Sequence, residues 1–111
     1  MGNAAANLQL AAAAAQSIGS ILTANGVQDV YLYGSRATGT DTADSTWDFM
    51  LDFKRPISKR EFRTLNSNIL AAMQLKAGST AKTYLTSPQY DRPSFTKWAV
   101  KSSRLIFSSP T

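Results

Sequence analysis

Between Asn7 and Thr23 the apolar side chains fall at Leu8, Ala11/Ala12, Ala15, Ile18 and Leu22, and Asn25-Gly26 follows as a stop. That spacing predicts a first amphipathic helix. A β-branched and aromatic run then begins at Val27, and its clearest strand character lies over about Val30 to Tyr33. Gly34-Ser35 suits a sharp exit from that strand, and the polar stretch from Thr38 to Ser45 reads as a loop or a short helix plus loop. From Trp47 to Phe53 the pattern alternates, so a second strand is expected. Trp47, Phe49, Leu51 and Phe53 share its core face, and Asp48, Met50 and Asp52 share the other.

After Pro56, Ser58-Lys59-Arg60-Glu61 matches a capping box, and Phe62, Leu65, Ile69 and Ala72/Met73 repeat at helical spacing up to Gly78. A second amphipathic helix is predicted there. Ala81 to Thr86 reads as a third strand, Pro88 to Pro93 as a loop, Ser94 to Lys101 as a short helix and Arg104 to Phe107 as a last strand. With no internal repeat and no linker-like stretch, residues 1–111 are expected to form one domain. The aromatics Tyr31, Tyr33, Trp47, Phe49 and Phe53 alternate on strands and are expected in the core.

Composition narrows the chemistry. The 111 residues include no Cys and no His, which excludes thiolate nucleophiles, zinc-finger spacings and imidazole bases. Carboxylates, Lys, Tyr, hydroxyls and an oxygen-bound hard cation remain. The Ala-rich start has no basic residue before Arg36, unlike a secretion signal, and no long apolar run follows, so a soluble cytoplasmic chain without a membrane span is expected. Charge is divided along the sequence. Residues 1–53 carry one basic residue against five acids, whereas residues 54–111 carry eleven against two. The second half should seek anions, unless its cations form only a solvated helix face.

The most specific chemistry lies in Tyr31-Leu32-Tyr33-Gly34-Ser35-Arg36-Ala37-Thr38-Gly39, followed by Ser45-Thr46-Trp47-Asp48-Phe49-Met50-Leu51. It resembles the signature of the minimal nucleotidyltransferases of the DNA polymerase β-like superfamily: a strand ending in Gly-Ser, ten intervening residues, then Asp-x-Asp opening the next strand. Here ten residues separate Gly34-Ser35 from Thr46-Trp47-Asp48, so the spacing fits and the first aspartate does not. The resemblance covers nearly the whole chain and implies an α/β (α+β) fold, a small mixed sheet with packed helices. In such a site, glycine lets backbone N–H groups approach phosphates, and neighbouring carboxylates hold two cations that activate the attacking oxygen.

Carried onto this sequence, the resemblance assigns Gly34, Ser35 and Arg36 to a nucleotide and Asp48 to catalysis and Mg²⁺. Thr46 and the third-strand run Ala81-Lys82-Thr83-Tyr84 stand where two further acids are expected. Asp52 shares a face with Asp48 but lies about 13 Å along an extended strand, too far to share a cation. Asp44 or Asp41 folding back from the loop is the remaining route to a metal pair. Lys82 could instead pair with Asp48 or a triphosphate, or simply snorkel from a strand edge.

Three functions follow. The first is a degenerate nucleotidyltransferase-like protein that binds ATP, another nucleoside triphosphate or a partner protein; the resemblance implies an antitoxin-like role beside a HEPN-type ribonuclease. The second is an active enzyme moving a nucleoside monophosphate onto a protein or nucleic-acid hydroxyl with Mg²⁺. The third is a nucleic-acid binder using Lys54, Arg55, Lys59, Arg60 and Arg63 on phosphates. Tyr84, Tyr90 and Trp98, among Lys82, Arg92, Lys97 and Lys101, would suit base stacking in that role.

Overall fold

The computed structural model describes residues 2–42, 44–72, 83–87 and 93–110. Helices α1 (Ala4–Ser17) and α2 (Gly19–Ala24) lead into strand β1 (Val27–Tyr33). Next come α3 (Ser35–Thr38), β2 (Trp47–Phe53), α4 (Lys59–Ala72), β3 (Thr83–Thr86), α5 (Pro93–Ser102) and β4 (Arg104–Ser108). The sheet order is β3-β2-β1-β4. The β1–β2 and β1–β4 pairs are antiparallel, and β2–β3 is parallel. This is the expected mixed α/β architecture. Among the described residues no helix is long and apolar enough to cross a membrane.

Register explains how the two faces divide. Residues directly opposite in an antiparallel pair project to one side, so Val30↔Leu51 and Leu32↔Phe49 share a face while Tyr31↔Met50 and Tyr33↔Asp48 share the other. On the first face Trp47, Phe49 and Leu51 are fully buried, with Ala11 and Ala15 of α1, Leu22 of α2 and Phe62 of α4 packed over them. On the second, Tyr33 and Met50 pack with Ala99 of α5, and Trp98 meets the Tyr33 ring edge-on at 6.0 Å. Tyr33 is buried as expected and Tyr31 partly so, but not alongside Trp47, Phe49 and Phe53. The two tyrosines build a smaller layer on the face that carries Asp48.

The larger differences from expectation lie in the first helix and first strand. The first helix begins earlier, at Ala4, because the Asn3 side chain accepts the Ala6 N–H at 3.1 Å, and it breaks at Ile18. The break precedes Gly19-Ser20, a pair of the kind that accompanies sharp kinks, and a Cβ at Gly19 would meet the Phe107 ring at 3.1 Å. Glycine there allows α2 to close onto β4. Strand β1 starts at Val27 rather than Val30, since its early residues are paired on both sides, Val27 with Phe53 and Asp29 with Ser108. The expected helical positions 73–78, the first residues of the third strand including Lys82, and Tyr90 and Arg92 lie outside the described residues.

Candidate functional site

The site forms where β1 ends and β2 begins. Because Tyr33 pairs with Asp48, the next residue, Gly34, is set beside the Asp48 carboxylate. Gly34 has φ 78° and ψ −156°, a conformation that side chains resist, and a Cβ there would stand 2.8 Å from Asp48 Oδ2. Glycine is required twice over, for the turn and for the acid. The chain then winds through α3 and leaves by Gly39 in the left-handed conformation, with φ 82°.

Asp48 is half-buried, and its Oδ1 accepts a hydrogen bond from the Thr46 hydroxyl at 2.8 Å. Burial pushes its pKa above the usual carboxylate value. The Thr46 hydrogen bond and the positive charge of Arg36 pull the other way without cancelling it. Ser35, at the first position of α3, is half-exposed, and its hydroxyl has no hydrogen bond among the described residues. The Gly34 N–H donates to Ser102 Oγ at 2.9 Å, and Ser102 Oγ in turn donates to the Ala99 carbonyl. The end of α5 thus reaches the edge of the Gly34–Asp48 site.

Arg36 does not face outward as a phosphate ligand would. It is 5% exposed and its Nη1 pairs with Asp41 Oδ2 at 3.0 Å. Its Nη2 and Nε donate to the Ser45 carbonyl at 2.9 and 3.3 Å, while its guanidinium lies 4.3 Å from the centre of the Trp47 ring. These bonds fold the 39–46 loop back onto the start of β2, making Arg36 the organiser of the loop. Asp41 is equally committed, because its other oxygen accepts from Asn7 Nδ2 at 2.8 Å; Asn7 Nδ2 also donates to the Arg36 carbonyl. Asp41 is therefore not the loop acid that supplements Asp48.

Asp44 is exposed on the loop turn, and among the described residues no group of three or more acids converges on a possible metal position. Asn7 is the residue that sequence reasoning overlooked. It occupies the same helical stripe as Ala11 and Ala15, and a lone amide on such a stripe signals a buried polar partner.

The basic residues lie elsewhere. Lys54 and Arg55 follow the opposite end of β2, and Lys59, Arg60 and Arg63 occupy the first turns of α4, all of them exposed. The fold brings together Gly34, Ser35 and Asp48 and separates them from this cluster by the length of the sheet.

The family model described as "Polymerase beta, Nucleotidyltransferase" matches residues 16–111. No curated protein matches the chain. A solved toxin–antitoxin structure with AMP-PNP superposes with a TM-score of 0.61 at 17% identity, covering 85% of this chain and 73% of that one. The toxin–antitoxin MntA–HepT gives 0.58 at 13% identity, with 87% and 72% covered. A tri-AMPylated Shewanella oneidensis HEPN toxin in complex with MNT antitoxin gives 0.58 at 14% identity, with 87% and 71% covered. At these identities the likeness is one of fold.

Proposed function

Since the chain belongs to the polymerase beta nucleotidyltransferase family, we propose that it binds a nucleoside triphosphate beside Gly34, Ser35 and Asp48, pairs with a HEPN-type protein, and no longer carries out efficient metal-dependent transfer. The observation that carries this reading is the Thr46 hydroxyl, held on Asp48 at 2.8 Å where the family pattern has a carboxylate. The solved relatives with AMP-PNP and with a HEPN toxin support the nucleotide and the partner.

The family generally uses Mg²⁺. The described donors do not fit a pair of cations, because one Asp48 oxygen is engaged by Thr46 and Asp41 is bound to Arg36 and Asn7. What this chain's own residues do is shape and position. Gly34 makes the turn that sets Ser35 beside Asp48, Ser35 adds a hydroxyl, and Arg36 holds the loop while keeping positive charge near Asp48. Lys82 would add a cation to the phosphates.

The test is calorimetric titration of ATP, with and without Mg²⁺, into the natural chain and into Thr46→Asp. The natural chain should bind ATP with little Mg²⁺ dependence, and the substitution should make binding Mg²⁺-dependent and tighter by about tenfold, the effect of one added carboxylate on a hard cation. No ATP binding by either folded protein would remove the nucleotide. A second reading, active transfer, is favoured by the AMPylated toxin in one relative. Robust transfer of labelled nucleotide by the natural chain to a co-purified partner would establish it and overturn the loss of transfer.

A further inference from the structure

At the end of the sheet away from Asp48, an open trough of about 840 Å³ runs between the C-terminal turn of α2 and the first turns of α4. Lys54, Arg55 and Arg60 line it, and all three are exposed. Ile57 and Leu65 form its apolar part, half-buried and packed against the core. The wall stays open at Gly26, where a Cβ would have nothing within 4 Å. A volume of this size falls in the range of recognition pockets, and its content is amphipathic: cations above an aliphatic floor.

We infer that this trough docks an acidic amphipathic segment of a protein partner, with apolar side chains on Ile57 and Leu65 and carboxylates against Lys54, Arg55 and Arg60. The two guanidinium groups match carboxylates in two-point fashion, and the cations would also steer an acidic partner during approach. Two features favour protein over nucleic acid. No aromatic side chain lines the trough among the described residues, so bases have no stacking platform. Glu61 is part of the lining, and a carboxylate there repels a continuous phosphate backbone but tolerates a segment of mixed polarity. The inference rests on the pairing half of the proposed function and is independent of the nucleotide half. Docking at this end would leave Ser35 and Asp48 uncovered.

The probe is a fluorescein-labelled Glu/Leu peptide of about five helical turns, with Leu at helical i, i+3, i+4, i+7 spacing. Polyglutamate of equal length and poly(U) RNA of about 20 nucleotides serve as comparisons. Anisotropy should show the peptide binding the natural chain, with affinity falling at least about tenfold in Arg55→Glu/Arg60→Glu, the loss expected for close charge pairs. Ile57→Ser should weaken binding comparably, with Leu65→Ser as the substitute if that variant does not fold. Lys97→Glu/Lys101→Glu changes net charge equally on α5 and should leave affinity within about twofold. The inference fails if polyglutamate binds as well as the peptide, if RNA binds more tightly and is lost in the Arg55/Arg60 variant, if the α5 variant weakens binding equally, or if the peptide does not bind. Failure of the peptide while a HEPN-type partner co-purifies would remove the trough and leave the pairing intact.

Discussion

At Gly34 two constraints meet on one missing atom, since its backbone has positive φ and the space a Cβ would fill belongs to Asp48. Gly34→Ala should cost about 2 kcal/mol in chemical denaturation, and removing the carboxylate as well, in Gly34→Ala/Asp48→Ala, should recover part of the loss. Asp48 carries the opposite sign from most native carboxylates. Burial raises its folded pKa above the unfolded value, so the stabilisation is complete below the unfolded pKa and is lost as pH rises through the folded one. Asp48→Asn should therefore be at least as stable as the natural chain at neutral pH, with a flatter melting-temperature profile between mildly acidic and neutral pH. Arg36 and Asp41 form a buried pair, and each protects the other from unpaired burial. Arg36→Ala should cost about 3–5 kcal/mol, whereas Arg36→Met/Asp41→Leu should cost less than either single loss in the same denaturation series.

Elements show where local signals suffice. The capping box at Ser58 is half realised: Ser58 Oγ accepts the Glu61 N–H at 3.1 Å, and α4 begins at Lys59 as that motif requires. Ser58→Ala should cost about 1 kcal/mol by urea denaturation, and Ser58→Gly only a few tenths. Strand β2 runs over the residues expected, because strict alternation of aromatic and polar positions admits one register once one face is buried. The break at Ile18 was not legible in periodicity. Ile18 and Leu22 keep helical spacing on both sides of it, and the residue that follows the break, Gly19, lies against the Phe107 ring, nearly ninety residues on.

At the scale of the whole molecule the sheet holds two places of different chemistry at opposite ends. Val27 to Tyr33 spans about 20 Å of extended chain, with Gly34 and Asp48 at one end and the basic trough at the other. Sites so separated, with no shared partner, should be energetically independent. The stability changes of Gly34→Ala and Arg60→Glu should add within about 0.5 kcal/mol, as a denaturation cycle of the two singles and the double would measure. The order of elements and the two faces of β2 were already written in periodicity, a local relation between neighbours in the chain, and the resemblance carried by the ten-residue spacing pointed to the meeting of Gly34-Ser35 with Asp48. The roles of Arg36, Asp41 and Asn7, and the distance of the basic cluster from the acid, were decided only in three dimensions. A side chain's partner depends on which distant residue folding brings within hydrogen-bond reach, and that choice is made by packing rather than by spacing.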